Sequence, residues 1–539
     1  MPSILALDQG TTGSRALIID QDGSILGHAY REFAQHFPQP GWVEHDAEDL
    51  FQSTLEAARD ALAVSGARPV GIGISNQRET IVVWDRSTLR AVAPAIVWQD
   101  RRTAQRCREL KASGAEAMVR SRTGLLLDPY FSATKLEWLL RDPELRRRAE
   151  RGELAAGTVD SWLVARLSGG AAHVTDHSNA SRTLLYDIHE RGWSEELLGL
   201  FSIPGEMLPQ VVASSGVLAE CMREHFGFAL PIAGLAGDQQ SALFGQGCVS
   251  PGAAKNTYGT GAFLLVHAGG RPPAPPEGLL ATMACGAWGE PAYALEGSVF
   301  IAGAAIQWLR DGLGILEAAA DSEALARSVP DTGGVSFVPA FVGLGSPYWE
   351  PEARGTITGL TRGTTRAHLV RAALEAVAFS SAELLEGMTK GVGLHVPVLR
   401  VDGGATSNDW LMQFQADLLD LPVERPDVVE TTALGAGALA GLALGVWPSI
   451  EEFTAVRLAR GCGGPWGGAG VGPGSVVSNT MSRRTAVRHY GAMLRCGALR
   501  RSQDGVQESG PPERVPGRHS NRPVESNLPL PIPARTPMP

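Results

Sequence analysis

Lysine is nearly absent from this chain. Only Lys111, Lys135, Lys255 and Lys390 interrupt a basic complement of 47 Lys+Arg that is otherwise arginine. Glycine and alanine are abundant in turn, a coding bias under which a single arginine or glycine says little and only positioned ones count. An excess of positive charge is missing as well. The 47 basic residues face 57 acidic ones for a net charge of -10, which argues against a nucleic-acid binder with its usual basic face. The six cysteines form no CxxC pair, so neither a zinc site nor a disulfide framework is indicated, and reduced thiols in a cytoplasmic protein are expected. There is no GxxxxGK[ST], which excludes a P-loop. Long apolar runs are lacking too. Thr431–Ile450 is free of charge, but Pro448 cuts its apolar part to about 15 residues, short of the roughly 17–25 that a bilayer span needs. Gly437, Gly441 and Gly445 recur at four-residue spacing there, and the segment reads as a closely packed buried helix against a sheet. The opening MPSILALDQG puts Asp8 inside its apolar run, so no signal peptide is expected.

What is present suffices for large cores. The 539 residues are 44% hydrophobic and 19% charged, a length for two large domains or three to four ordinary ones. Up to residue 460 short β-branched runs alternate with longer helical stretches, as in α/β folds. Strands are expected at Ile4–Leu7, Ala16–Ile19, Val70–Ile74, Ile81–Trp84, Ala95–Trp98, Ala262–Val266, Val335–Val338 and Leu399–Val401. Helices are expected at Glu48–Ala63, Thr103–Ala112, Leu136–Leu140, Arg366–Thr389 and Trp410–Leu418. An internal repeat links LALDQGTTGSRALIID (Leu5–Asp20) to NTYGTGAFLLV (Asn256–Val266), each a strand, a Gly/Thr turn and a strand. Two halves with one such hairpin each suggest two lobes gripping one phosphate chain, divided as 1–246 and 247–460. Residues 461–474 hold eight glycines and residues 501–539 nine prolines. A segment of that composition buries too little apolar surface to offset its ordering entropy, and 461–539 is expected to be a disordered tail.

Several polar groups stand where strands end, the usual place for ligands in such folds. In the first hairpin Gly10, Thr11 and Thr12 offer N–H and hydroxyl groups to phosphate oxygens, near Arg15. Asp8, at the end of its strand, is placed to hold a hydrated Mg²⁺, which prefers few carboxylates plus phosphate oxygens. Gly259, Thr260 and Gly261 form the second hairpin. Gly303 and Gln307 open a helix, and Asp402, Gly403, Gly404 and Asn408 follow a strand where an adenine can lie against backbone; either segment also reads as plain strand-to-helix packing. Asp238 begins a helix after an apolar strand. It reads either as an N-cap or as the base that accepts a proton from an attacking hydroxyl. Arg78 and Glu79 sit between two strands, as a polyol clamp or as an ordinary ion pair. Trp98 and Tyr130 read as covers for a polyol's C–H face or as core aromatics.

Taken together, ALDQGTTGSRALIID, SNQRETIVVW, AIVWQDRRT, DPYFSATK, AGDQQSALFGQ, KNTYGTGAFLL, ALEGSVFIAGAAIQWLRD and RVDGGATSNDWLMQFQADLL resemble the FGGY carbohydrate kinases, collinearly from residue 3 to about 453. The resemblance implies a duplicated ribonuclease H-like architecture, the two-lobed actin/hexokinase/Hsp70 ATPase fold, and Mg²⁺-dependent phosphoryl transfer from ATP. Glycerol is the implied acceptor; tetritols and pentuloses are the acceptors of other members, and a non-catalytic ATP switch is the alternative from a different class. By position, Thr11, Thr12, Gly13 and Arg15 would contact nucleotide phosphates. Arg78, Glu79, Tyr130, Asp238 and Gln239 would bind the acceptor hydroxyls, with Trp98 and Phe263 over its carbons. Thr260, Gly303, Gln307, Gly404 and Asn408 would bind the adenine nucleotide, and Asp238 would be the base. Members are usually dimers or tetramers. Two departures stand out: HFGFALPIAG lacks the arginine of the loop that binds an inhibitory sugar bisphosphate in some bacterial members, and the family's last helix is not recognisable in order after Arg460, as after a frameshift or a replaced terminus.

Overall fold

The computed structural model describes residues 1–426, 428, 430–460 and 490; the expected tail, apart from Tyr490, lies outside the described residues. Two six-stranded sheets organise the chain. The first contains β1 (Ser3–Gln9), β2 (Gly13–Asp20), β3 (Ile25–Glu32), β4 (Gly71–Asn76), β5 (Ser215–Cys221) and β6 (Leu230–Gly237), in the order β5-β6-β4-β1-β2-β3. The second contains β7 (Ala254–Tyr258), β8 (Ala262–Gly269), β9 (Leu280–Cys285), β10 (Pro291–Val299), β11 (Leu399–Asp402) and β12 (Val423–Glu424), in the order β9-β10-β8-β7-β11-β12.

The repeat read from the two hairpins extends to topology. β1 pairs antiparallel with β2 and parallel with β4, and β7 pairs antiparallel with β8 and parallel with β11. Parallel strands need both faces covered, and β1 accordingly is apolar without alternation up to Leu7. Its side chains divide by parity. Leu5 and Leu7 join a core with Leu50, Phe51 and Leu55 of α1 (Ala47–Ser65). Ile4 and Ala6 join another with Ala433, Leu434 and Leu439. The helix α1 starts where Asp46 accepts the Glu48 N–H at 2.8 Å and stops at Gly66 in the left-handed region.

That second cover, Thr431–Ala443, is the charge-free segment that sequence reading assigned to a buried helix. It comes from the second half of the chain yet lies on the first sheet, so close that only glycines fit. A Cβ on Gly73 of β4 would stand 2.0 Å from the Ala436 carbonyl oxygen, and one on Gly437 2.6 Å from Ile19. Among the described residues no helix is long and apolar enough to cross a membrane. The second sheet packs on the 27-residue helix Arg366–Val392, whose buried Val370, Leu374, Val377 and Leu384 share a core with Leu264, Leu295 and Val401.

The first lobe also holds a four-stranded sheet of Glu44–His45, Ala95–Ile96, Ile81–Asp85 and Leu154–Thr158, from whose strand end at Ile96 the chain continues to Trp98. The expected strand Ala95–Trp98 stops at Ile96. Asp100 accepts the Val43 and Arg102 N–H groups and donates its own N–H to the Val97 carbonyl at 3.0 Å, which turns the chain there. The expected helix Leu136–Leu140 runs instead over Ser132–Leu139.

Candidate active site

β1, β4 and β6 run parallel and end at one level, with Asp8 opposite Ser75, and Gly237 opposite Asn76. That edge gathers Asp8, the Arg78–Glu79 loop and Asp238. The first hairpin closes through Gly10 N–H to the Gly13 carbonyl at 2.9 Å, leaving Thr12 exposed and Thr11 half-buried. Arg15 stands opposite Asp8. The second hairpin closes likewise, Gly259 N–H to the Gly261 carbonyl at 2.9 Å, with Thr260 exposed. The helix α2 of this site, Asp238–Gly245, follows β6, and α3 (Gly303–Asp311) docks on the second hairpin. Gly303 and Ala304 there donate to Gly259 and Thr260 carbonyls at 3.0 and 3.1 Å. A Cβ on Gly303 would sit 2.6 Å from the Gly259 oxygen, so the approach requires glycine.

Trp98 joins the lobes. Its Nε1 donates to Thr11 Oγ1 at 2.9 Å, and its ring meets Tyr130 and Phe263 edge-on at centroid distances of 5.6 and 6.4 Å. Phe263 belongs to β8, so the aromatic cover draws on both lobes.

Below it lies a network of charge. Arg78 is buried; its Nη1 and Nη2 donate to the two oxygens of Glu296 at 2.6 and 2.9 Å, and its Nε lies 3.1 Å from Asp238 Oδ1. Nη2 also reaches the Tyr130 hydroxyl at 3.4 Å, and Nη1 reaches Gln240 at 3.2 Å. Arg182, wholly buried, donates from Nε to Glu79 at 2.6 Å and from Nη2 to Glu296 at 3.0 Å. Glu79 holds a left-handed backbone, φ +60°, rare for a side-chain-bearing residue and typical of functional loops. Asp238 is not the N-cap; Gly237 is. The Asp238 carboxylate instead accepts the Gln239 N–H at 2.7 Å and the Gln239 side-chain amide at 3.3 Å. Gln239 passes the contact on, since its Oε1 accepts from buried Lys255 Nζ, which also donates to Thr257 at 2.8 Å.

Arg78, Arg182 and Lys255 thus face Glu79, Glu296 and Asp238, a balanced set without which so much buried charge would be prohibitive. Burial alone would raise the Glu296 carboxyl, but Arg182 and Arg78 hold it down at about 2. Burial pushes the Glu79 carboxyl up against the pull of Arg78 and Arg182, and pushes the Tyr130 hydroxyl up strongly. Lys255 is brought down to about 8 by burial. Asp238 differs from its partners in exposure. Its side chain is 31% exposed, while those of Arg78, Glu79 and Glu296 are at 2% or below. It is the acid of the network with a face turned outward.

Burial lifts Asp8 to about 6, assisted by the charges of Asp238 and Glu430 and opposed by Arg15. A carboxyl raised by neighbouring acids is one that a cation would relieve. No group of three or more metal-ligating side chains occurs among the described residues. Asp8 is the single carboxylate at the end of β1, and a hydrated Mg²⁺ prefers few carboxylates plus phosphate oxygens.

In the second lobe, Gly403 at φ +90° brings the turn after β11 against Tyr258, whose carbonyl oxygen a Cβ would meet at 2.5 Å. Asp402 is held by Gln246 at 2.6 Å and by Thr431. Open space lies in front of Gly404, and Gln307 is exposed. Asn408 is engaged within its lobe: its Oδ1 caps the helix Asp409–Leu419 through Leu411 N–H at 2.9 Å, and its Nδ2 donates to Ser322 at 3.1 Å. Sequence reading singled out these loops but not Glu296, Arg182 and Lys255, which the structure brings up against them. Two of them left a signal in the sequence: Glu296 is the lone acid in the apolar run of β10, and Lys255 is one of four lysines.

The duplicated sheets and the charged floor between two hydroxyl-tipped hairpins define a two-lobed phosphotransferase. The chain belongs to the FGGY family of carbohydrate kinases, whose N-terminal domain matches residues 3–245 and whose C-terminal domain matches residues 254–444. It is 57% identical to a glycerol kinase of Bordetella parapertussis over 84% of this chain and 91% of that one, and 58% identical to a glycerol kinase of Trichlorobacter lovleyi over 84% and 92%. The fold is similar to the crystal structure of Plasmodium falciparum glycerol kinase with ADP, with a TM-score of 0.84, 32% identity and coverage of 92% and 98%. A xylulose kinase from Brucella ovis gives a TM-score of 0.77 at 27% identity over 91% and 98%.

Proposed function

We propose that this kinase transfers the γ-phosphoryl group of ATP to a terminal hydroxyl of glycerol, forming sn-glycerol 3-phosphate and ADP. The observation that carries the reading is the network on Arg78. One guanidinium fixes Asp238, Glu296 and the Tyr130 hydroxyl together, so the groups that donate to and accept from a small polyol are set before it binds. Glu79 and Asp238 accept from hydroxyl hydrogens, Arg78 and Gln239 donate to hydroxyl oxygens, and Trp98 and Phe263 cover the carbons.

In the reaction a glycerol oxygen forms its bond to the γ-phosphorus as the bond from that phosphorus to the β-γ bridging oxygen breaks. The hydroxyl proton passes to Asp238, whose exposed face is the acceptor. Its main task is to orient the hydroxyl, because the transition state of phosphoryl transfer is loose. The Arg78 Nε and the Gln239 N–H hold the carboxylate in place and aim it. Thr11, Thr12 and the Gly13 backbone would hold the phosphates from one lobe and Thr260 from the other, with Arg15 supplying positive charge. Gly303, Gln307, Gly404 and Asn408 would line the adenine site, Asn408 after exchanging part of its cap. Asp8 would hold Mg²⁺, which when bound neutralises developing charge on the phosphate oxygens. In this division 1–246 carries polyol and phosphate and 247–460 carries adenine. Closure of the lobes would exclude water, which otherwise competes for the phosphoryl group. The four cysteines among the described residues are buried and free, which suits a reducing cytoplasm, and a homodimer or homotetramer is the assembly to be checked by light scattering.

The test is ADP release measured with and without glycerol. Turnover should depend on glycerol, and Asp238→Asn should lower kcat by about 10²–10⁴-fold while ATP still binds. A pentulose preferred to glycerol by a large kcat/KM ratio would reassign the acceptor.

A further inference from the structure

Tyr30 stands on β3 with 43% of its surface exposed, in register with Arg15 of β2. The Arg15 guanidinium lies 5.6 Å from the centre of its ring. Its hydroxyl is 3.4 Å from Thr12 Oγ1 at the tip of the first hairpin. The phenol ends against the bare face of Gly13, where a Cβ would fall 2.5 Å from both Cζ and the hydroxyl oxygen of Tyr30, and 2.7 Å from the Arg31 carbonyl oxygen. The small residue at 13 and the large one at 30 are therefore a single feature. The ring fills the volume that a side chain on residue 13 would take, and it carries an O–H to the tip of the loop.

Packing alone does not account for that choice. A half-exposed ring gains little from burial, and an aliphatic side chain would shield Gly13 as well without a hydroxyl. A phenol also does two things at once here: its face attracts the Arg15 guanidinium, and its neutral O–H donates to anionic oxygen without adding charge. We propose that Tyr30 is a phosphate-binding residue of the nucleotide site. Its hydroxyl donates to a phosphate oxygen beside Thr12, and its ring holds Arg15 over the same phosphate. The inference rests on the reading of this hairpin as the nucleotide-phosphate loop.

Titration calorimetry with a Mg²⁺-bound nonhydrolysable ATP analogue, with adenosine and with glycerol tests it. Tyr30→Phe removes one oxygen and should weaken the analogue about tenfold, the scale of a charge-assisted hydrogen bond, leaving adenosine and glycerol affinities unchanged. Gly13→Ala drives the ring off the loop and should weaken the analogue at least as much. The double variant Gly13→Ala/Tyr30→Ala relieves the collision but lacks both the hydroxyl and the ring that holds Arg15, so it should weaken the analogue further than Tyr30→Phe does. Wild-type affinity for the analogue in Tyr30→Phe would overturn the inference and leave Tyr30 a space filler. The readout is binding, so failure of glycerol phosphorylation leaves this test standing. Absence of any analogue binding to the wild type would overturn the nucleotide reading and this inference with it.

Discussion

Glu296 is the only charged side chain on β10, yet it sits at the crossing of both buried arginines. Arg78 and Arg182 come from the first lobe and Glu296 from the second, so a single carboxylate ties the Arg78–Glu79 loop to the opposite half. Glu296→Gln keeps the shape and removes the charge. It should raise KM for glycerol by about tenfold or more with KM for ATP little changed, and lower stability by roughly 3 kcal/mol, the scale of an orphaned buried partner. Steady-state kinetics with urea unfolding separates the two effects, and equal shifts in both KM values would argue against positioning of Arg78. The sign of its pH dependence follows from a folded pKa of about 2 against an ordinary 4.5. The stabilisation is complete above about pH 4.5 and is lost as pH falls toward 2, on the order of 3 kcal/mol. Urea midpoints measured between pH 5 and pH 3 should therefore fall, and fall less in Glu296→Gln. Arg78, Glu79 and Asp238 could be singled out in the sequence because each lies in a polar cluster at a strand end. Glu296 and Arg182 could not be placed, because their importance comes from partners more than 100 residues away.

Elements show the same division between local and distant information. The two hairpins are legible since Gly and Thr at their tips and β-branched strands beside them are adjacent in sequence. The buried helix Thr431–Ala443 was legible as a helix from its lack of charge and its small residues. Its seat on the first sheet was not, because nothing within the segment names the surface it covers. Glycines on both sides make that seat possible, and Gly73 shows how tightly. Gly73→Ala would place a methyl group 2.0 Å from the Ala436 carbonyl oxygen, a collision with backbone that no rotamer relieves. A loss of about 3 kcal/mol or more is expected by urea unfolding, at the upper end for overpacking. A change below about 0.5 kcal/mol would mean that the helix moves freely against the sheet. The strand that ends at Ile96, short of Trp98, is an intermediate case. Asp100 makes the turn, and its hydrogen bond to Val43 spans 57 residues.

At the scale of the whole molecule, charge on the first lobe and aromatic cover from both lobes converge on one edge of β1, β4 and β6. Trp98 against Phe263, and Arg78 and Arg182 against Glu296, are contacts between the two halves at this edge. The account needs the groups so gathered to place a glycerol hydroxyl between Asp238 and the terminal phosphate. A crystal structure of the closed enzyme with glycerol, Mg²⁺ and a nonhydrolysable ATP analogue measures this directly. The expected result is an Asp238 carboxylate oxygen within about 3 Å of a terminal glycerol hydroxyl that faces the γ-phosphorus. Glycerol bound with Asp238 out of hydrogen-bond reach, and another group beside the attacking oxygen, would contradict it.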